Sequence, residues 1–224
     1  IVDFTDATGV EQIWNNASTS SLTLTYDAAP IAATFGIRNT KSETTITAFD
    51  DVTGTEDNLA LAVVGAGSDT DNAEVASGDA AAIETMSIAA TGENFVDVSA
   101  FAAITGLTVT GDGSITAVVD VTALETVDAS GNTGGVTVDL TGAAADLTVT
   151  GGSGNDDITA GAGDDTIDAG AGDDRVAFAA AALDNLDTVA GGDGEDTIAF
   201  ADADDATALD ATAHTAFEIL ELGT

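Results

Sequence analysis

Between Gly151 and Ala199 one nine-residue phrase occurs four times, each copy with an aspartate at its sixth place and an aliphatic residue at its eighth. The copies are Gly151–Thr159, Ala160–Asp168, Ala169–Ala177 and, after an insertion at 178–190, Gly191–Ala199. Their sixth-place carboxylates are Asp156, Asp165, Asp174 and Asp196, and their eighth-place residues are Ile158, Ile167, Val176 and Ile198. Glycines hold the second and fourth places: Gly152 and Gly154, Gly161 and Gly163, Gly170 and Gly172, Gly192 and Gly194. Asn155, Asp164 and Asp173 add oxygen-bearing side chains at the fifth place of the first three copies. A carboxylate beside glycine turns, whose carbonyls can converge where no Cβ intervenes, is the chemistry of a hard divalent cation. Ca²⁺ takes 6–8 oxygen ligands in a flexible shell, whereas Mg²⁺ demands a tight octahedron and is the weaker candidate.

The period also says what must position these groups. Six residues make a turn and three a short strand, so two copies complete one coil and alternate copies share an edge. That arithmetic pairs Asp156 with Asp174 around one ion, and Asp165 with Asp196 around another if residues 178–190 loop out. Two or more Ca²⁺ ions are expected. The glycines are expected at φ > 0, where other residues are strained. The insertion is rich in Ala and Leu and predicts a short helix.

Upstream the period lengthens. Strand-like tetrapeptides at Thr85–Ile88, Gly106–Val109, Thr126–Ala129 and Asp146–Val149 place Met86, Leu107, Val127 and Leu147 at steps of 21, 20 and 20. Val96-Asp97-Val98-Ser99, Val119-Asp120-Val121-Thr122 and Val138-Asp139-Leu140-Thr141 lie between them. Two short alternating strands and two polar turns per repeat describe one coil of a β-solenoid, rather than an evenly spaced β-sandwich. The chain is therefore expected to be all-β, a right-handed parallel β-solenoid or β-roll. Its segments are expected to be a less regular, partly antiparallel β region at 1–80, coils of about 20 residues at 81–150, the nine-residue β-roll at 151–200, and a tail at 201–224. Strands are expected at Leu22–Tyr26, Ile31–Ile37, Thr44–Phe49 and Leu59–Val64. The tail reads as helical or irregular over Ala201–Ala213 and returns to strand at Phe217–Leu220. Ile1-Val2-Asp3-Phe4 echoes Ile198-Ala199-Phe200, a hint of tandem units.

Composition limits the function classes. The 224 residues carry 30 Asp and 10 Glu against 3 basic side chains, a net charge of −37, far beyond the 2–8 units usual for a small soluble domain. Nucleic acid is excluded as a partner for want of a basic surface. No stretch approaches a membrane span of ~18 apolar residues, so no membrane insertion is expected. The absence of Cys excludes disulfides, thiolate metal sites and a Cys nucleophile. Disorder fits poorly, because 44% of the residues are hydrophobic and the mean hydropathy is +0.22. A first residue of Ile1 rather than Met reads as a piece of something longer or a processed product.

Other acidic loops are secondary metal candidates: Asp50 and Asp51 with Glu56 and Asp57, then Asp69 and Asp71, and Asp112 in Gly111-Asp112-Gly113. Each reads first as a solvated turn. Enzyme chemistry finds no footing. His214 is the single imidazole, no phosphate-binding lysine loop exists, and a lyase base at Arg38 or Arg175 would lack the cations to bind an acidic sugar. Thr108/Thr110 and Thr148/Thr150 could form a flat recognition face, but Asp128 and Ser130 interrupt it and exposed strand Thr is the ordinary explanation.

All four nonapeptides resemble the repeats of the RTX (repeats-in-toxin) proteins, with Ala in place of the first Gly in copies two and three. The Val-Asp-Val-Ser and Leu-Thr-Val-Thr-Gly phrases are similar in composition to the Thr/Ala/Gly-rich solenoids of bacterial surface-layer (S-layer) proteins with RTX segments. The resemblance implies a non-enzymatic, calcium-dependent structural module that leaves the cell by type I secretion and folds in extracellular Ca²⁺. It further implies an address on the bacterial cell surface and self-association with copies of the same protein into a lattice or fibre. A cell-surface glycan is a further candidate partner. The alternatives are the stalk unit of a calcium-dependent adhesin, or the secretion and folding module of an exported enzyme.

Overall fold

A computed structural model describes residues 2–3, 11–16, 22–25, 34–39, 44–47, 57–68, 70–76, 83–179, 182–183, 186–201 and 212–223. Successive strands go to alternate sheets. The first sheet holds β1 (Val2–Asp3), β3 (Leu22–Thr25), β5 (Thr44–Thr47), β7 (Ala73–Ala76), β9 (Glu93–Asp97), β11 (Ser114–Val118), β13 (Val136–Asp139), β15 (Asp157–Thr159), β17 (Arg175–Phe178), β19 (Thr197–Phe200) and β21 (Ile219–Leu222). The second holds β2 (Gln12–Asn16), β4 (Thr34–Arg38), β6 (Asn58–Val64), β8 (Thr85–Thr91), β10 (Gly106–Gly111), β12 (Thr126–Asn132), β14 (Thr148–Thr150), β16 (Thr166–Asp168), β18 (Thr188–Ala190) and β20 (His214–Thr215). Each strand bonds in parallel to the strands two places before and after it. The chain is all-β, a parallel β-solenoid of two facing sheets.

Period-two alternation makes this work. Leu59, Met86, Leu107, Val127, Val149, Ile167 and Val189 stack strand on strand in the second sheet, all buried. Val138, Ile158, Val176 and Ile198 do the same in the first. Each such side chain contributes about 1.5–3 kcal/mol through burial, and parallel neighbours bring like residues into contact, so a repeat in sequence becomes a column in space. Outward positions carry Thr126, Thr148, Thr166 and Thr188, all exposed.

Four expectations need correction. The N-terminal region is not antiparallel: β1 to β9 pair in parallel, and the antiparallel contact there among the described residues is an isolated Ser68–Asp71 bridge. The insertion at 178–190 yields no helix among its described residues; Phe178 ends β17 and Thr188–Ala190 form β18. Leu147 is not the fourth member of its column, since Val127 pairs with Val149, a step of 22 that a longer Leu140–Leu147 turn absorbs. Val119 does not align with Val96 and Val138, whose partner is Ala117, because β11 reaches that register two residues earlier. Of the stretch expected to be helical or irregular, Ala201–Ala213, residues 202–211 lie outside the described residues.

Candidate metal centre

Places six and eight of the nonapeptide are two residues apart, so both point to the same side of the chain as it enters a strand. The eighth residue fills the core, and the sixth carboxylate is drawn into the mouth of the turn. Asp156, Asp165, Asp174 and Asp196 are accordingly 0–2% exposed. Where the chain crosses from the second sheet to the first, they form a ladder with main-chain N–H groups. Val136 N–H donates to Asp156 Oδ1 (2.7 Å), Asp156 N–H to Asp174 Oδ1 (2.7 Å) and Asp174 N–H to Asp196 Oδ1 (2.9 Å). Asp196 N–H donates in turn to Glu218 Oε2 at 2.9 Å. On the opposite edge, Leu147 N–H donates to Asp165 Oδ1 (2.9 Å) and Asp165 N–H to Asp187 Oδ1 (2.7 Å).

Asp156 and Asp174 thus lie in adjacent turns. Asp165 and Asp196 do not: Asp196 follows Asp174 in the first sheet, and the neighbour of Asp165 is Asp187. The reason is that the insertion hides a fifth copy. Residues 182–190 keep Asp187 at place six and Val189 at place eight while losing every glycine, and β18 occupies the next rung after β16. Asp187 is 1% exposed. Counting nine residues back from Gly191 would have found it, but the missing glycines and the Ala/Leu content masked the register.

The glycines act in two ways rather than one. Gly163, Gly170, Gly172, Gly192 and Gly194 have φ between +103° and +153°, as expected. Gly152, Gly154 and Gly161 do not; for them the constraint is close stacking, since a Cβ at Gly152 would collide with the Asn132 carbonyl oxygen. Asn155, Asp164 and Asp173 sit on the exposed rim. Asn155 Oδ1 accepts Asp173 N–H and Asp146 Oδ1 accepts Asp164 N–H, each at 3.0 Å.

The electrostatics are unfavourable as they stand. Burial pushes the Asp165 and Asp174 carboxyls up to about 6, reinforced for Asp165 by Asp187, Asp146 and Asp164, and for Asp174 by Asp156, Asp196 and Asp173. Asp156 and Asp196 are raised as well, again chiefly through burial. The Oδ2 atoms of Asp174 and Asp196 are buried without any hydrogen-bond partner. An ionised carboxylate oxygen in that position costs several kcal/mol unless a positive charge meets it. A Cβ at Gly191 would stand 2.7 Å from Asp196 Oδ2, so glycine keeps space open beside that atom. These features fit a hard cation. Among the described residues no three Asp, Glu or His side chains converge enough to hold an ion by themselves, so backbone carbonyls would supply much of the shell. Asp174 and Asp196 have oxygen to spare, whereas both oxygens of Asp156 already accept N–H groups, from Val136 and Gly152.

Among the described residues, the secondary acidic candidates form no metal-holding cluster. Asp50, Asp51, Glu56 and Asp69 lie outside the described residues. Asp57 donates its N–H to Glu84 Oε2 at 2.9 Å, Asp71 is exposed beside Ser68, and Asp112 is exposed in the turn between β10 and β11. Two basic side chains are already engaged: Arg175 bridges Asp157 and Glu221 (3.2 and 3.0 Å), and Arg38 lies over the Trp14 ring at 4.5 Å.

A buried Asn occupies the same turn edge in upstream coils. Asn94 falls in the column that continues through Ile115, Val136, Asp156, Asp174 and Asp196. Its Nδ2 donates to the carbonyls of Thr91, Gly92 and Ser114 (3.1–3.2 Å), and its Oδ1 accepts Ala66 N–H. Asn132 donates to Gly113 O and accepts from Gly134 and Gly135 N–H.

Comparison with known families agrees with this geometry. Residues 148–180 match the family model described as RTX calcium-binding nonapeptide repeat (4 copies). No curated protein matches the chain, and no solved structure matches it. The matched stretch, residues 148–180, spans the turns that bury Asp156, Asp165 and Asp174, so the likeness to the RTX calcium-binding nonapeptide repeat falls on the buried carboxylates themselves.

Proposed function

We propose that this chain is a non-enzymatic structural module of a secreted bacterial cell-surface protein of the S-layer type, locked by Ca²⁺ and built to associate with copies of itself. The observation that carries the reading is the pair of buried, partnerless Oδ2 atoms of Asp174 and Asp196 in adjacent glycine turns. Without a cation these carboxylates repel and resist burial. With one, ligand at a hundredfold over its dissociation constant adds about 2.7 kcal/mol per site, enough to decide the state of a marginally stable fold. Asp156, Asp174 and Asp196 would hold ions on one edge, and Asp165 with Asp187 on the other. Secretion is supported by the repeat family, and the large negative charge suits a Ca²⁺-rich exterior. Circular dichroism in Ca²⁺ and in chelator tests the switch, and electron microscopy tests assembly. Expected are β structure that grows on adding Ca²⁺ and ordered sheets or fibres at high protein concentration. Identical spectra would refute the switch, and persistent monomers would refute self-association.

A further inference from the structure

We propose that Asn94 and Asn132 replace a cation in the upstream coils, so that residues 58–150 fold without Ca²⁺ and present the ordered edge on which residues 151–200 stack when Ca²⁺ binds. The inference rests on the calcium reading of the nonapeptides and adds a division of labour within the chain.

The distribution of buried polar groups is the first support. Among the described residues, those upstream of Asp156 are Asn15, Asn94 and Asn132, all neutral, whereas the five buried carboxylates lie between Asp156 and Asp196. Asn94 stands in the very column that later holds Asp156, Asp174 and Asp196. Its NH₂ meets three turn carbonyls within 3.2 Å, gathering oxygens as a bound cation would, but through neutral hydrogen bonds. Asn132, on the same turn edge two coils later but outside that column, ties the turns by a different set of neutral bonds: its Nδ2 meets one carbonyl, Gly113 O, and its Oδ1 accepts the Gly134 and Gly135 N–H groups. Ile115 and Val136, between Asn94 and Asp156 in that column, need no partner at all.

The junction is the second support. The last neutral rung on each edge offers an N–H to the first carboxylate of the next: Val136 to Asp156 and Leu147 to Asp165. Two oriented donors and two free strand edges, β13 and β14, are thus in place before any calcium turn forms. Adding a coil to an existing edge requires closing only a short loop, which is far easier than nucleating two sheets in an open chain.

Hydrogen exchange read by mass spectrometry on the whole chain tests this. In chelator, peptides covering β8 to β13 should stay protected while those covering β15 to β19 exchange freely, and Ca²⁺ should protect both. Loss of protection throughout in chelator, restored everywhere by Ca²⁺, would overturn the proposal and leave the calcium reading standing. Equal protection throughout, with and without Ca²⁺, would defeat the calcium reading itself and the proposal with it. Asn94→Asp supplies a second arm. It removes the donor to the three carbonyls and adds a charge, so protection of β8 to β11 should be lost in chelator and regained in Ca²⁺. An Asn94→Asp chain protected in chelator, or one that Ca²⁺ does not restore, would overturn the surrogate role.

Discussion

The main-chain N–H of Asp156 donates to Oδ1 of Asp174 over 2.7 Å, from one coil to the next. One carboxylate oxygen therefore holds the stack in register while the other, Oδ2, is left buried and unpartnered in the turn. The two oxygens can be separated by mutation. Asp174→Asn keeps an acceptor for the Asp156 amide but removes the charge; Asp174→Ala removes both. Titration calorimetry should show weaker Ca²⁺ binding or fewer ions for both variants. The Ala chain should lose a further 1–3 kcal/mol or so for the amide left without an acceptor. Equal stability of the two variants in Ca²⁺ would mean that the ladder bond contributes nothing.

The partner of Asp165 is Asp187, which lies in a stretch without a single glycine. Asp187→Ala should lower the Ca²⁺ stoichiometry or affinity as Asp165→Ala does, and the double variant should add little to either. Asp165→Ala and Asp196→Ala, on opposite edges, should instead be additive to within about 0.5 kcal/mol.

Acidity offers a test without mutation. The Asp165 and Asp174 carboxyls sit near 6 in the folded chain against an ordinary value of 3.8. The folded form therefore binds more protons than the unfolded one between those values, and stability falls as pH rises through that window. In chelator, thermal melts should show the nonapeptide segment more stable near pH 4.5 than at pH 7, where both carboxyls are ionised in either state. In excess Ca²⁺ the preference should reverse, because protons compete for the same oxygens. A melt in chelator that improves steadily from pH 4.5 to 7 would contradict the burial of these carboxylates.

Core positions should show the ordinary cost of cavities. Ile158→Ala, in the column between Val138 and Val176, should destabilise by about 2–4 kcal/mol. Thr148→Ala, on the exposed face, should change stability by less than about 0.5 kcal/mol. Denaturant unfolding in Ca²⁺ measures both.

Periodicity made the architecture legible from the sequence. Ile158, Ile167, Val176 and Ile198 each took a core position, and the Asp two places before each was buried with it. What the sequence concealed lay where a turn changed length. The longer turn before Leu147 moved its column from 147 to 149, and the glycine-free turn before Asp187 made a repeat look like an insertion. A turn can vary without any loss of hydrophobic pattern, so spacing alone misassigns the rung beyond it. The parallel pairing of β1 to β9 was hidden for a related reason: alternation specifies which face is buried, not which neighbour a strand bonds. Asn94 and Asn132 gave no signal in one sequence, since Asn in a turn is ordinary until its hydrogen bonds are seen.

Eleven strands bonded side by side in one sheet also fix a dimension. With neighbouring strands about 4.8 Å apart, the sheet spans roughly 48 Å along the stacking direction. Each further coil lengthens the molecule by that one increment and leaves its cross-section unchanged. Deleting or duplicating a pair of nonapeptides would thus work as a change of gauge, shifting the spacing between whatever the two ends hold by about 5 Å per coil.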